Sequence, residues 1–416
     1  MEVAFCVVSR LSVLSDAAAN GTAPRGRPGH RQKCAMSRTS NTDVQPNNIG
    51  IRHITIYVPP HKIKRDDIPP HKMSDVLTKI LESKMPRLDE ELTVLGTDSD
   101  LISMVLRTTE LFINETGLSW SDIGMVQVGT ATNMDRAKPL MSYVAGLFAS
   151  HGNETLAGAD TTFVCNSGVN ALCNVINWMS GPCWDGRLGL CIGADYSHTK
   201  AVYTSPHDRV WNGAACSAAL ICKDAPMCLK HVAHRTSHNF TSIRPCSASP
   251  YRFMPDIKEF LQHHNKEIRD VLKTVSSWPN NEKGLGKYDF FTFHHGTAGW
   301  CRKFFADAVK GEEQAENLVA KLEPSLKYFS KIGHAGSSNL FIYLAGILSE
   351  EPRVGSRVLC LGEGSNFQVS ALEFEVKHSN YSTTSLASQL SACKPISTFD
   401  MLRISDSHIY SYVLGL

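Results

Sequence analysis

Strand-like segments alternate with helical patterns along most of this 416-residue chain. The strand-like segments are β-branched or wholly apolar, and apolar residues recur at helical spacing between them. Strands are predicted at 51–58, 123–128, 161–164, 188–192, 289–293 and 357–361, and helices at 101–113, 138–150, 169–179, 300–309 and 337–348. Because strands that alternate with helices form βαβ units, the sequence predicts an α/β fold.

The first 47 residues differ from the rest of the chain. They are rich in Ala, Gly, Ser, Thr, Asn, Pro and Arg and have little apolar periodicity, so 1–47 is predicted to be a disordered or poorly ordered arm. Whether the residues before Met36 belong to the native protein stays open, and the frequent Arg leaves organelle targeting open. The remaining chain is predicted to form two α/β halves of similar size, 48–225 and 226–416.

Charge and cysteine content exclude several classes of protein. Lys and Arg total 42 and Asp and Glu total 40, a net charge of +2 that favours neither nucleic acid nor an acidic membrane as a partner. The longest apolar run of the second half, Leu340–Leu348, is about nine residues, whereas a membrane span needs about 20. The thirteen cysteines include no CxxC pair and no zinc-ligand spacing. We therefore predict a cytoplasmic protein with reduced thiols, no metal site and no membrane span.

The segment Asp160–Leu172 contains the most informative cysteine. Cys165 lies where a predicted strand turns into a helix, and Ser167 and Gly168 follow with side chains small enough for a tight turn. A thiol at a helix N-terminus faces unpaired N–H groups and the positive end of the helix dipole, which lower its pKa from about 8.5 and stabilise the thiolate. The backbone amide of Cys165 is then placed to hold an oxyanion. The alternative is one more buried cysteine of the core.

A cysteine nucleophile needs a proton carrier, and two histidines are candidates. His294 follows the strand predicted at 289–293, and the carboxyl end of a strand in an α/β sheet faces the crevice where ligands bind. His334 lies in a loop of small residues that leads into an apolar helix. The Gly364-Ser365 pair follows another strand and suits a tight turn that brings a backbone amide to an active site. A lone histidine is more often structural than catalytic, so both interpretations stay open.

Several short motifs occur in an order typical of one family. They are Gly129-Thr-Ala-Thr, Asp135-Arg-Ala-Lys138, Asp160-Thr-Thr, Cys165, Asn177-Trp178, Trp184-Asp-Gly-Arg187, Phe293-His294 and Gly364-Ser365. From about residue 49 onward, the chain resembles the hydroxymethylglutaryl-CoA synthases of the thiolase superfamily. The resemblance implies a five-layered αβαβα fold of two related halves, with the nucleophile in the first and the histidines in the second. It also implies a homodimer with an acyl-CoA tunnel that leads to the cysteine.

The chain departs from the family pattern at functional positions. The family's Gly-Thr-Glu-Thr contains the glutamate that is the general acid/base of the aldol step, and the residue here is Ala131. Such a group contributes about 10²–10⁴-fold to a rate. The family's active-site asparagine is His334 here. Its CoA-contacting lysine falls at Gly299, so Arg302 and Lys303 are the candidates for contacts with CoA or a carrier protein.

The remaining set of Cys165, His294 and His334 resembles the triad of the elongating ketosynthases. It implies an acyltransferase or condensing enzyme in which Cys165 takes an acyl group from a CoA or carrier-protein thioester. The oxyanion would be held by its amide and that of Ser365. The acyl group would then pass to a second substrate by Claisen condensation or by ester or amide formation, in polyketide or other specialised metabolism. No tightly bound cofactor is expected, and the thioester is the substrate.

Two alternatives stay open. The first keeps the family's aldol reaction, with His334 or Glu363 in place of the lost glutamate. The second is a non-catalytic partner subunit of a heterodimeric condensing enzyme. The identities of the acyl chain and the acceptor cannot be predicted from the sequence.

Overall fold

A computed structural model of the chain describes residues 48–68, 90–132, 137–162, 165–196, 212–236, 257–278, 284–364, 368–401 and 403–404. The arm predicted at 1–47 lies outside these residues. The strands are β1 Gly50–Tyr57, β2 His61–Lys64, β3 Glu91–Val94, β4 Ile123–Gly129, β5 Ala157–Thr161, β6 Leu188–Tyr196, β7 Ala214–Cys222, β8 Met227–Thr236, β9 Phe290–Phe293, β10 Arg357–Gly364, β11 Gln368–Val376, β12 Ser382–Thr383 and β13 Lys394–Pro395. The helices are α1 Leu101–Thr116, α2 Leu140–Ser150, α3 Ser167–Ser180, α4 Ile257–Ser276, α5 Ala298–Ala308, α6 Ala315–Ala320, α7 Glu323–Ile332, α8 Asn339–Leu348 and α9 Leu386–Ala392.

The described strands form one large sheet in two sections. Their order is β5-β4-β6-β7-β1-β8-β11-β10-β9, with β12 paired to β1, and β13, β2 and β3 form a separate small sheet. The two sections meet where Gly50 and Ile51 of β1 pair with Cys228 and Met227 of β8. Gly50 is required there, because a Cβ on it would lie 2.0 Å from the Met227 carbonyl oxygen. The first section carries α1 and α2 on one face and α3 on the other, with α8 packed against α3 and β7.

The second section of the sheet is also covered on both faces. A Cβ on Gly362 of β10 would lie 2.9 Å from Val169 Cγ2, so this face packs against α3. Leu361, the neighbour of Gly362 on β10, projects to the face opposite α3, because side chains alternate along a strand. Phe293 pairs with Leu361 and lies on the same face. The Phe293 ring there lies 5.8 Å from that of Phe305 in α5. The layers therefore run α1/α2, sheet, α3/α8, sheet, α4/α5, and the predicted αβαβα fold is confirmed.

Most predicted elements are present, but several boundaries differ, among them the ends of β6 at Tyr196 and of α1 at Thr116. The strand near 161–164 is Ala157–Thr161, an edge strand whose exposed residues give no apolar signal. Thr162 is not in a strand, and 163–164 lie outside the described residues. The strand predicted to end at 361 continues to Gly364, because β10 pairs with β11 along its whole length. Neither β7, β8 nor β11 was predicted. No helix among the described residues is long and apolar enough to cross a bilayer. The division into halves at 225/226 falls in the turn between β7 and β8 and stays a prediction.

Candidate active site

Cys165 lies immediately before helix α3, as predicted. The helix begins at Ser167, with Asn166 as its cap residue, and Cys165 is half-buried. The wholly buried Asn166 amide donates to Gln368 Oε1 (2.8 Å) and Ser370 Oγ (2.7 Å). These two bonds attach the turn that carries the cysteine to strand β11, so the thiol is held between the two sections of the sheet.

His294 and its neighbour His295 point in opposite directions at the end of β9. The His294 backbone N–H donates to the Leu361 carbonyl (3.0 Å), which continues the pairing of β9 with β10 by one residue. His295 stacks on Phe304 of α5 with ring centroids 4.5 Å apart, and its Nδ1 accepts from the Gly296 N–H (2.8 Å). His295 is therefore packed toward the outer helical layer, and His294, buried and on the other side, faces α3.

The loop that carries His334 fits closely against the N-terminus of α3. A Cβ on Gly168 would lie 2.1 Å from the Ser337 carbonyl oxygen, so only glycine permits this approach. Gly336 has φ +50°, and a Cβ on it would lie 2.2 Å from Asp195 Oδ2. The small residues of the predicted loop therefore bring His334 to the cysteine, and its carbonyl accepts from the Gly213 N–H (3.0 Å).

The three predicted catalytic side chains converge. Ligand atoms of Cys165, His294 and His334 all lie within 4.8 Å of one another. The two Nε2 atoms are 3.2 Å apart, and the rings are nearly perpendicular at 77°. The ring of the buried Tyr343 lies 6.3 Å from that of His294, and burial raises the pKa of this tyrosine well above its usual value. A thiol and two imidazoles therefore share one partly enclosed point, with a neutral phenol beside them.

Asp195 is a site residue that the sequence analysis missed. Its carboxylate is 1% exposed and lies on β6, and Oδ1 accepts from the Ala131 N–H (2.7 Å) and from the hydroxyls of Thr130 (3.2 Å) and Thr132 (2.7 Å). Oδ2 accepts from the N–H (2.6 Å) and hydroxyl (2.7 Å) of Ser337. One carboxylate thus ties the segment with the lost glutamate position to the loop of His334. An acidic residue at the end of a wholly apolar strand was the available signal.

Asp195→Asn is expected to destabilise the protein by about 1–3 kcal/mol, because the amide NH2 group cannot accept the N–H and O–H donors that the lost oxygen satisfied. The displaced Ser337 should also move the His334 loop and lower activity. Urea unfolding measures the stability change, with Asp307→Asn on the exposed side of α5 as the matched control. Equal unfolding midpoints for the two variants would contradict the role assigned to Asp195.

The other predicted site positions differ in how they are placed. Ala131 is half-buried, and its methyl group leaves no ionisable function where the family has a glutamate. Gly364 is the last residue of β10 and pairs with Gln368, whereas Ser365 lies outside the described residues. Glu363, the possible replacement for the lost glutamate, lies within β10, and Gly362 beside it faces α3. Because side chains alternate, Glu363 projects to the face opposite α3.

Arg302 and Lys303, the candidates for CoA or carrier contacts, lie on α5. The Arg302 guanidinium binds Glu323 through two bonds of 2.6 and 2.7 Å, and these bonds raise the pKa of Arg302. Lys303 is exposed, with its Nζ 5.6 Å from the centre of the Phe304 ring. Arg302 already has an anionic partner, so of the two Lys303 has the more accessible charge, and the contacts stay predictions.

The Trp184-Asp-Gly-Arg187 motif is a structural turn. Gly186 has φ +92°, and Asp185 accepts from the Arg187 N–H (3.0 Å) and Nε (2.8 Å), which lowers the pKa of Asp185. Arg187 also donates to the carbonyls of Ile123 (3.2 Å) and Thr155 (3.1 Å). This motif of the resemblance thus fixes the entry of β6 into the sheet.

Most other described cysteines are core residues with suppressed acidity. Burial raises the pKa of Cys173 and Cys222 to about 11 and that of Cys216 and Cys360 to about 12. Such thiols are protonated and poorly reactive at neutral pH. Cys183, by contrast, is exposed. It is therefore the natural comparison for reactivity at Cys165.

Comparison with known proteins shows the family to which the chain is related. The family model described as hydroxymethylglutaryl-coenzyme A synthase N terminal matches residues 45–226. The mitochondrial hydroxymethylglutaryl-CoA synthase of Rattus norvegicus is 30% identical over 414 residues, with 84% of this chain and 79% of that protein covered. A hydroxymethylglutaryl-CoA synthase of Zymoseptoria tritici is 27% identical over 295 residues, covering 66% of this chain and 61% of that relative, so this match spans less than two thirds of its length.

Solved structures share the fold. MvaS in complex with 3-hydroxy-3-methylglutaryl coenzyme A has a TM-score of 0.68 at 17% identity, with 86% of this chain and 91% of that chain covered. The HMG synthase of the curacin biosynthetic pathway, in complex with an acetyl donor-ACP, has a TM-score of 0.73 at 16% identity, with 86% and 89% covered. The fold is thus that of the thiolase-like condensing enzymes. Within that class the chain belongs to the hydroxymethylglutaryl-CoA synthase family, as the resemblance predicted.

Proposed function

We propose that the protein is a thioester-dependent acyltransferase or condensing enzyme that carries its acyl group on Cys165. The observation that carries this proposal is the convergence of Cys165, His294 and His334 within 4.8 Å at the N-terminus of a central helix. A nucleophile within reach of proton carriers is the arrangement that covalent catalysis requires. The retained set argues against a purely structural partner subunit, which needs neither the thiol nor the imidazoles.

The first step transfers the acyl group to sulfur. The Cys165 thiolate attacks the carbonyl carbon of the donor thioester, the bond to the donor sulfur breaks, and the leaving thiolate takes up a proton. Negative charge develops on the carbonyl oxygen, and the Cys165 amide is placed at the helix N-terminus to stabilise it. The partial positive charge of that helix end favours both the attacking thiolate and the oxyanion.

The second step uses the two imidazoles. In the Claisen branch a malonyl-type thioester loses CO₂, its α-carbon attacks the acyl carbonyl, and the thiolate of Cys165 leaves. Two Nε2 atoms 3.2 Å apart are placed to donate to one enolate oxygen. In the alternative branch an alcohol or amine attacks, and an imidazole accepts its proton. Neither branch needs the carboxylate that Ala131 lacks.

The donor is proposed to be an acyl-CoA or an acyl carrier protein. The relatives are named for a CoA thioester, which supports an acyl-CoA donor. The curacin pathway synthase was solved with a donor-ACP, which supports a carrier-protein donor and a role in polyketide or other specialised metabolism. A homodimer is also proposed, because β5 is an exposed edge strand of the main sheet that a second copy can extend.

Donor choice is tested by incubating the full chain with acetyl-, malonyl- and longer acyl-CoAs and with acyl carrier proteins. Intact mass spectrometry should show one added acyl group, and peptide mapping should place it on Cys165. Addition of malonyl thioester, alcohols or amines then identifies the acceptor by the product released. No acylation by any thioester of this panel would contradict the proposal.

The family's aldol reaction is the second candidate, favoured by the relationship to hydroxymethylglutaryl-CoA synthases. Glu363 is badly placed to replace the lost glutamate, since it projects away from α3. His334 is the remaining candidate acid/base for that reaction. Robust formation of hydroxymethylglutaryl-CoA from acetyl-CoA and acetoacetyl-CoA by the wild-type protein would favour the aldol reaction as its function. An Ala131→Glu variant that gains this activity would instead show that the aldol reaction was lost with the carboxylate.

A further inference from the structure

The active-site cluster has the composition and spacing of a site for a thiophilic metal ion. Cys165, His294 and His334 each offer one ligand atom, and the three atoms lie within 4.8 Å of one another. We propose that Cys165 Sγ, His294 Nε2 and His334 Nε2 bind one Zn²⁺ ion, and that this ion inhibits the enzyme reversibly. The metal site stands on the geometry alone, whereas its inhibitory effect rests on the proposed function.

The distance between the imidazoles fits a tetrahedral ion. Zinc binds imidazole nitrogen at about 2.0–2.1 Å, so two such ligands on one tetrahedron lie about 3.3 Å apart. The two Nε2 atoms are 3.2 Å apart. A thiolate at about 2.3 Å from the ion would lie about 3.6 Å from each nitrogen, which the cluster reaches by a side-chain adjustment of about 1 Å.

The donor set selects the class of ion. A thiolate and two imidazoles suit Zn²⁺ and its neighbours Co²⁺ and Cu²⁺, whereas Mg²⁺ and Ca²⁺ require oxygen ligands. Three protein ligands leave a fourth position for water or an incoming ligand. Binding of the ion replaces the thiol proton and releases it.

The prediction of no metal site rested on local Cys and His spacing, which cannot indicate this cluster because its ligands come from three distant segments. They are nevertheless held in place by hydrogen bonds of the fold. Asn166 ties the turn of Cys165 to β11, the His294 N–H binds the Leu361 carbonyl, and the His334 carbonyl binds the Gly213 N–H. A set of ligands that is already assembled loses little conformational entropy on binding the ion.

The consequence for catalysis follows from the thiolate. A sulfur bound to Zn²⁺ has its lone pair engaged and is a poor nucleophile toward a thioester, and the same ion occupies both imidazole nitrogens. Zinc and the acyl donor should therefore compete for the free enzyme. An acylated cysteine should in turn lack the thiolate that the ion requires.

The test is a titration of the reduced, chelator-stripped full chain with Zn²⁺ by calorimetry and with Co²⁺ by absorption spectroscopy. We expect a single tight site, sulfur-to-cobalt charge-transfer absorption and the intense visible bands of tetrahedral Co²⁺. Cys165→Ala should abolish the charge-transfer band, and His334→Asn should weaken binding more than about 100-fold, since even residues that only support ligands cost 10–100-fold. Cys183→Ala and His378→Ala, at exposed positions, should leave the site unchanged.

Acyl transfer is measured separately in metal-free buffer. Tight Zn²⁺ binding that survives both Cys165→Ala and His334→Asn, or the lack of a tight site in the wild type, overturns the metal inference whatever the acylation result. If no acylation occurs in metal-free buffer, the proposed function is overturned. The cobalt spectrum still shows in that case whether the metal site exists. The inhibitory effect is overturned if Zn²⁺ saturates the proposed site and acylation is unaffected.

Discussion

Cys165→Ala is expected to abolish covalent acylation and to lower turnover by several orders of magnitude, because the methyl group cannot form the acyl–sulfur bond. The buried thiols around it cannot substitute, since burial raises the pKa of Cys173 to about 11. Intact mass spectrometry after incubation with an acyl-CoA measures the loss, and thermal unfolding verifies that the variant is folded.

Cys183→Ala is the matched control, because Cys183 is exposed and follows the C-terminal end of α3, whereas Cys165 precedes the N-terminal end. It should acylate and turn over like the wild type. Iodoacetamide should also modify Cys165 faster than Cys183 at neutral pH, which a non-catalytic subunit would not show. Undiminished acylation of Cys165→Ala would remove this residue from the mechanism.

His334→Asn is expected to lower the condensation or transfer step by about 10²–10⁴-fold while acylation of Cys165 continues. The residue introduced is the one that the hydroxymethylglutaryl-CoA synthases have at this position, so it should fit the loop without disturbing Gly336 or Ser337. The reason for the loss is the proton and the positive charge that an amide cannot supply. Single-turnover kinetics of the isolated acyl-enzyme separate the second step from the first.

His294→Asn should affect both steps, since its ring lies beside both the thiol and His334. His378→Ala, on the exposed segment after β11, is the control for loss of a histidine and should have wild-type rates. If His334→Asn retained the full rate of the second step, or gained aldol activity with acetoacetyl-CoA, the two-imidazole mechanism would be wrong.

The α/β elements of the fold and the residues of the candidate site could be predicted from the sequence because their signals are local, whereas the five layers followed from the resemblance. Helix α3 has its apolar residues at a regular helical period, and Cys165 stands beside the small residues that a tight turn needs. His294 ends a buried strand, where the alternation of side chains already distinguishes it from His295. His334 lies among small residues, and the close approach at Gly168 explains why they are small.

Features that depend on long-range pairing could not be predicted in this way. Strand β5 has few apolar residues, since it is an edge strand, and the strand was therefore assigned to the more apolar residues that follow. The strand was predicted to end at 361 because the glycines that follow suggested a turn, whereas β10 continues through them and Gly362 makes room for Asn166 and Val169. The role of Asp195 depends on five bonds to two distant segments, which no local pattern reveals.

A crystal structure of the wild-type protein trapped with a stable acyl-thioester analogue tests the central claim most directly. The account predicts that the acyl carbon is bonded to Cys165 Sγ, or lies against it. The Nε2 atoms of His294 and His334 should both lie about 3 Å from the oxygen of the second substrate. An acyl group on a different cysteine, or imidazole rings turned away from the thioester, would contradict the account.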